Sequence, residues 1–333
     1  MIHITLAHGS GGIESQKLIQ KIFLKHLTPY MQGSGEDAGI ACGCAGAFAM
    51  STDSYVITPY TFRGGDIGKL SVCGSSNDVA MMGARPMYMS AGFIIEEGFD
   101  IQELESLIKS MATELMRGNL KLLSADTKVV PKGSVDKIFI NTTAYGEVVY
   151  QNLSAYNLQN GDCIIVSGNV GTHGSMVYCE RNEIGLISSL ESDCAQLFGM
   201  LETLFVSGIE IHALRDATRG GIASVLNEWA QASNVGIDIE ESHIPILEEV
   251  RGVCEILGLE PYVLANEGVC VLSVPQKDVA QTLEILHTHP LGKNACVIGE
   301  VHTNMPQKVI LHNPYGTKRY LEYPQGEILP RIC

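Results

Sequence analysis

A cysteine stands last in the chain, Cys333, behind the segment YPQGEILPRI. Two prolines and a glycine in that stretch predict an extended, movable tail over 323–333 with no capacity to pack. Its thiol then adds nothing to folding, yet it can reach an internal site or a partner's. Thiolate is the best nucleophile a protein has for holding a one-carbon group, so a carrier thiol is the sharper reading and a chance terminal cysteine the plain one. A second set of residues is acidic and sits at turns or strand ends: Asp37 (GEDAG), Asp53 (STDSY), Asp78 (SSNDVA), Asp126 (SADTK) and Asp216 (RDATRGG). Magnesium takes oxygen ligands and keeps several waters, so a few such carboxylates facing a triphosphate make a nucleotide–metal site; singly, each is an ordinary cap or turn residue. Lys128 follows Asp126 by two and shares its face if the segment is a strand, which suits either phosphate contact or a surface salt bridge. Glu267, between apolar segments, is either a desolvated general base or a cap partner.

Two glycine-rich stretches, HGSGG at 8–12 and GNVGTHG at 168–174, can bring backbone N–H groups close to an anion or serve as flexible turns. Neither matches a Walker A loop or a dinucleotide fingerprint. Ten cysteines are scattered without a CxxC pair, which argues against a structural zinc site; Cys42 and Cys44 are the one close pair. The net charge of −15, with no basic block to offset it, argues against nucleic acid or an anionic membrane as a general partner. No stretch has the length and apolarity of a membrane span, and the N-terminus lacks a basic leader, so a cytoplasmic location is expected.

The elements that must position these residues alternate between strand and helix. A helix is predicted over 13–27, with Leu18, Ile22 and Leu27 near one face, then a strand at 55–58. Asp66 caps a helix running to about Gly83, followed by a strand at 87–95. Ile101, Leu104, Ile108, Met111 and Leu115 recur at three and four residues and mark an amphipathic helix. Strands at 119–123 and 137–149 complete an α/β or α+β first half. A polar, Asn-rich connection near 150–160 divides the chain into 1–153 and 154–322, the tail following. In the second half strands are predicted at 163–167, 268–275, 295–301 and 308–312. Helices are predicted at 221–233, with Ile222, Val225, Leu226 and Trp229 inward, and at 279–287.

At these residues the sequence resembles the hydrogenase maturation HypE family, within the group that contains aminoimidazole ribonucleotide synthetase, selenophosphate synthetase and thiamine monophosphate kinase. The likeness runs nearly end to end, through LAHGSGG (6–12), TDSYVI (52–57), RGGDIGKLSVCGSSNDVAMMGARP (63–86), GFIIEEGF (92–99), ADTKVV (125–130), IFINTTAYGEV (138–148), RDATRGGIASVLNE (215–228), CEILGLEPYVLANEG (254–268), IGEV (298–301) and PRIC (330–333). The terminal PRIC discriminates, because it looks like the family's acceptor and the other enzymes of the group do not need it. Ala125, Ala217 and Thr172 depart from the family pattern, where glycine, proline and aspartate are usual.

The resemblance implies a two-domain α/β (α+β) fold like that of aminoimidazole ribonucleotide synthetase, a homodimer formed through the N-terminal sheets, and ATP with Mg2+ bound between the domains. It implies that a carbamoyl group, placed on Cys333 by the partner HypF, is dehydrated at the expense of ATP to a thiocyanate. The cyano group then passes to iron on a HypC–HypD complex, for [NiFe]-hydrogenase. By the same resemblance Asp37, Asp53, Asp78 and Asp216 match metal positions. Asp53, Asp78, Asp126, Thr127, Thr218, Arg219 and Gly220 match nucleotide positions, and Lys128 and Glu267 match the groups that polarise the amide and take its proton. The alternatives are another ATP-dependent enzyme of the group acting on a free small substrate, and a non-catalytic thiol carrier.

Overall fold

The computed structural model describes residues 12–18, 20, 39–43, 46–182, 190–326, 329 and 331–333. After the short helix α1 (Ile13–Leu18) the first domain builds a five-stranded sheet: β1 (Gly39–Gly43), β2 (Gly46–Tyr55), β5 (Ala84–Glu96), β6 (Lys121–Val130) and β7 (Ile138–Val148), in the order β1-β2-β7-β5-β6. A two-residue hairpin, β3 (Thr61–Phe62) with β4 (Gly65–Asp66), leads into α2 (Ile67–Met81). The Asp66 side chain accepts from Lys69 N–H at 2.9 Å, the expected N-cap. The crossover helix α3 (Ile101–Arg117) joins β5 to β6, the one parallel pair in this sheet.

Alternation along β2 sorts its residues. Ala49, Ser51 and Tyr55 turn under α2 and are buried, while Met50, Thr52 and Ser54 lie on the open face. Helix α2 is buried nearly all round because it lies between this sheet and the second domain. Its Gly68 lets α3 approach so closely that a Cβ there would sit 2.2 Å from Leu107 O. The amphipathic stripe of α3 packs chiefly through Leu107 and Met111, whereas Ile101 at its start is 81% exposed.

The second domain holds a seven-stranded sheet of β8 (Asp162–Val166), β9 (Ala213–Asp216), β10 (Gly236–Glu240), β11 (Cys270–Pro275), β12 (Cys296–His302), β13 (Lys308–His312) and β14 (Lys318–Tyr320). Its order is β14-β13-β10-β12-β8-β11-β9. The helices are α4 (Thr172–Arg181), α5 (Phe198–Val206), α6 (Gly221–Ala232), α7 (Glu248–Leu257) and α8 (Val279–Thr288). Central β8 is buried on both faces: Ile164 and Val166 pack toward α6, Ile165 toward α5 and α8. Ile222, Val225, Leu226 and Trp229 of α6 point inward as expected.

Three expectations shift. The strand expected at 55–58 is β2, which ends at Tyr55, and the chain beyond it receives the tail instead. The strand expected at 119–123 begins at Lys121 and runs on to Val130, carrying the ADTKVV segment. The helix expected over 13–27 is described only at Ile13–Leu18 and residue 20; Ile22 and Leu27 lie outside the described residues. No helix among the described residues is long and apolar enough to cross a membrane.

Candidate active site

Asp53 lies on β2, on the face that α2 covers, and the backbone just beyond it holds the end of the chain. Residues 331–333 run antiparallel to 56–58: Val56 N–H donates to Cys333 O at 3.0 Å and Thr58 N–H to Arg331 O at 3.3 Å. Arg331 Nε donates back to Val56 O at 2.8 Å, and its Nη1 meets Asp136 Oδ2 at 2.6 Å. Leu329, Ile332 and Cys333 are buried in a core that takes residues from both domains. The expectation of a segment with no capacity to pack is therefore corrected. Two aliphatic side chains and a receiving edge of free N–H groups give it a seat. Upstream, the tail is pinned where Ile13 N–H donates to Pro324 O at 2.9 Å and Gly326 N–H to Glu14 Oε2 at 3.1 Å.

Three further elements converge on this thiol. Helix α2 supplies Asp78, whose Oδ2 accepts from Ser51 Oγ at 2.6 Å. The β9–α6 connection supplies buried Asp216 and then Thr218, Arg219 and Gly220. That turn needs its two glycines: Gly220 and Gly221 have φ of 79° and 57°, and a Cβ on Gly221 would stand 2.4 Å from Tyr262 O. The bend before β11 supplies Glu267, held from behind by Asp193. That carboxylate accepts from Asn266 Nδ2 at 2.9 Å, Gly268 N–H at 3.1 Å and Glu267 N–H at 3.2 Å.

The groups sense one another. Burial pushes the Cys333 thiol up to about 12; Arg219 opposes that rise, while Glu267, Asp53 and Asp78 add to it. Arg219 is in turn held charged above its ordinary range, first by Cys333 and then by Asp53, Glu267 and Asp78. Burial raises Glu267 well above the carboxylate range, with Cys194, Asp216, Asp193 and Asp53 adding to it. Asp216 is raised to about 6 by burial, and Asp53 is raised by burial against the pull of Arg219. Asp216 Oδ2 and Glu267 Oε1 are buried without a hydrogen-bond partner. A pocket with this surplus of carboxylate and these orphaned oxygens is chemically complementary to a cation. Among the described residues no three metal-ligating side chains form a closed cage.

The structure thus gathers Cys333, Glu267, Arg219, Asp53, Asp78 and Asp216, with Thr218 and Gly220 in the adjoining turn. It does not bring Asp126, Thr127 and Lys128 to them within one chain. Cross-strand pairing puts Asp126 level with Gly92 and Asn141, and Lys128 level with Ile94 and Phe139, all on the sheet's open face. Asp53 pairs with buried Thr142 on the other face. Strand β6 is also three positions from β2, about 14 Å at ordinary strand spacing. Lys128 Nζ meets Asp126 Oδ2 at 2.5 Å, both side chains about two-thirds exposed. Asp37, Cys44 and residues 8–11 lie outside the described residues, as does the side chain of Cys42.

Sequence reasoning missed Asp193, whose motif SDC reads as any turn, and the role of the 168–174 loop. There Val170, Gly171 and Gly174 N–H groups are taken by Pro245 O, Asn266 Oδ1 and Ala265 O, so the loop packs against the Glu267 bend. Its His173 reaches the tail.

Both halves of the chain match models of AIR synthase related proteins, the N-terminal domain over residues 35–148 and the C-terminal domain over 159–311. The chain is 44% identical to carbamoyl dehydratase HypE of Escherichia coli (strain K12), with all of both chains covered. Among solved structures it superimposes on HypE in a HypE–HypF complex with a TM-score of 0.87, at 41% identity over 92% of this chain and 99% of that one. It also superimposes on HypE bound to ATP with a TM-score of 0.84, at 39% identity over 99% of this chain and 100% of that one. Full-length identity at this level, the paired domain matches and a terminal cysteine seated among the carboxylates lead to one assignment: the chain belongs to the carbamoyl dehydratase HypE family of the AIR synthase related proteins.

Proposed function

We propose that this protein dehydrates a carbamoyl group carried on its own Cys333, turning R–S–C(O)NH2 and ATP into R–S–C≡N, ADP and phosphate. The observation that carries this reading is the burial of the terminal thiol with Arg219, Glu267, Asp53 and Asp78 as its electrostatic neighbours. A free-substrate enzyme of the same group has no use for its last residue inside the site, and a passive carrier has no use for the carboxylates around it.

An amide oxygen leaves poorly. Transfer of the γ-phosphoryl group to that oxygen makes it a phosphate leaving group, and loss of phosphate with both N–H protons forms the C≡N bond. Glu267 takes one proton; the other leaves with the phosphate. The raised affinity of Glu267 for protons makes it a stronger base than an exposed carboxylate once ionised, and its unpartnered Oε1 is free to accept an amide N–H. Arg219 and the backbone N–H groups that open α6 just beyond Gly221, whose own N–H is taken by Thr218 O at 2.9 Å, steady phosphate oxygens at the start of that helix. Asp53, Asp78 and Asp216, with Asp37, would hold Mg2+, which supplies charge neutralisation to the triphosphate when bound. The docked thiol is protonated and so a poor nucleophile. Loading by HypF therefore belongs to a released tail, and so does delivery of cyanide to HypC–HypD. The known HypE–HypF complex supports the first of these partnerships.

Lys128 enters through a second copy. The open face of the first sheet carries Phe48, Met50, Tyr88, Ile94 and Tyr145, with Phe48 and Tyr88 packed at a tilt about Tyr145 at 4.8 and 6.2 Å between ring centroids. Met50 is 52% exposed and Ile94 41%, on a face that no helix among the described residues covers. Pairing two such sheets buries that face and carries each β6, with Asp126, Thr127 and Lys128, toward the partner's site.

Mass spectrometry of the C-terminal peptide tests the function. After incubation with a carbamoylating system, Cys333 should gain a carbamoyl group that loses one water only when Mg-ATP is present. Glu267→Gln should keep the carbamoyl group and fail to dehydrate it. ATP consumption with Cys333 unmodified, while a control acceptor is carbamoylated, would hand the assignment to the free-substrate reading. For the dimer, mixing Lys128→Ala with Glu267→Gln chains should restore about a quarter of the sites, whereas a site complete within one chain predicts no restoration in a mixed Lys128→Ala, Glu267→Gln pair.

A further inference from the structure

In an extended chain successive carbonyls point to opposite edges. Val56 and Thr58 hold the tail by one edge, through the carbonyls of Cys333 and Arg331. The intervening carbonyl, of Ile332, points the other way and meets His173 of α4, with Nε2 at 2.9 Å. On the other ring nitrogen, Ser192 Oγ stands 2.7 Å from Nδ1 and accepts from Cys194 N–H at 3.1 Å. Because Ile332 O can only accept, Nε2 carries the proton, and the Ser192 hydroxyl donates to Nδ1. With the tail in place the imidazole is fully buried, with Phe62 edge-on at 5.5 Å. Two turns farther along the same helix, Arg181 Nη2 donates to Arg331 O at 2.8 Å, while its Nε donates to Thr58 O at 2.8 Å.

We infer that His173 and Arg181 are positioning residues that, together with the backbone at 56–58, clamp the last three carbonyls of the chain and thereby set how deep the Cys333 sulfur sits. This rests on the reading of Cys333 as the acceptor. The clamp grips backbone from both edges, as an inner strand of a sheet is gripped, so it fixes register: a slip of one residue would present every carbonyl to the wrong edge. One jaw belongs to the first domain and the other to α4 of the second, so seating the tail also fastens the two domains together at the site.

The test uses the full-length protein. Cys333 is alkylated with iodoacetamide at pH 7.5 and its modification is followed on the C-terminal peptide. His173→Phe, which keeps a ring but loses the donor, should raise the alkylation rate about tenfold, the usual cost of one hydrogen bond to a buried carbonyl. His173→Gln, whose amide can still donate, should restore most of the protection. Arg181→Leu carries the same expectation as His173→Phe and stands in for it if that variant does not fold. In carbamoylated protein the single-turnover dehydration rate should fall in proportion to the docked fraction, with loading by the partner unchanged. Unchanged accessibility in both His173→Phe and Arg181→Leu overturns the clamp, and so does a His173→Gln variant as accessible as His173→Phe. Altered accessibility in the variants, alongside a wild-type protein that never dehydrates its carbamoyl group, would leave the clamp standing and remove the functional reading instead.

Discussion

Raising the pH should pull the tail out of its seat. A free thiol titrates at 9.0, while the docked Cys333 thiol is pushed up to about 12 by burial and by Glu267, Asp53 and Asp78, against the pull of Arg219. Between those values the released tail loses its proton and the docked tail keeps it, so linkage favours release. Docking is at full strength below pH 9 and is lost as pH rises toward 12. At pH 10 the released form is about ten parts thiolate to one of thiol and the docked form still protonated, which weakens docking about 11-fold; at pH 11 the factor is about 90. Arg219 is held charged above its ordinary range and does not titrate in this window. The assay compares the alkylation rate of Cys333 in the protein with that of a free peptide of the last seven residues, so that intrinsic thiolate reactivity cancels. Circular dichroism at each pH separates release from unfolding. The protection ratio should be flat from pH 7 to 8.5 and fall about 11-fold by pH 10. A ratio constant through pH 10.5, or one already falling near pH 7, would refute the reasoning, because some other group would then govern the tail.

Asp216 has its folded pKa raised from 3.8 to about 6, so its contribution is intact below pH 4 and lost as pH rises through 6. Two units correspond to ~3 kcal/mol, and Asp216→Asn should be more stable than wild type by up to that amount at pH 7.5 without divalent cations, the curves converging near pH 4 in urea titrations. If the proposed sheet-to-sheet dimer forms, Ile94→Asp, on the open sheet face, should convert it to monomer in analytical ultracentrifugation and abolish dehydration while leaving the tail protected. Asp136→Ala removes an ion pair with Arg331 whose side chains are 49% and 29% exposed. It should lower protection of Cys333 less than fivefold, a smaller loss than His173→Phe causes.

The fold was legible where local chemistry decides it. Asp66 caps a helix because its side chain does so whatever surrounds it, and α6 shows its inward face in Ile222, Val225, Leu226 and Trp229. The end of β2 at Tyr55 was not legible, because the apolar residues beyond it meet the chain's own end rather than a neighbouring strand. The carboxylates were visible as a set, but their assembly is not: Asp53, Asp78 and Arg219 come to one thiol only through strand β2, helix α2 and the β9–α6 turn together. Lys128 shows the limit most plainly. Strand periodicity put it beside Asp126 correctly, yet only the pairing of β6 with β5 and of β5 with β7 reveals that both face away from Glu267. His173 sat in a glycine loop whose composition suggested phosphate, and nothing local points to a carbonyl 159 residues later.

The pinning of Pro324 and Gly326 on α1 makes the end of the chain a short tether. Seven residues beyond that anchor span at most about 25 Å when fully extended. The carrier thus meets its own site at an effective concentration in the millimolar range, set by tether length and indifferent to dilution of the protein. A competing thiol ester in solution must match that figure before it can displace the tail. The same radius is a geometric demand on the two partners proposed above: each must bring its reactive centre within one arm's length of the cleft.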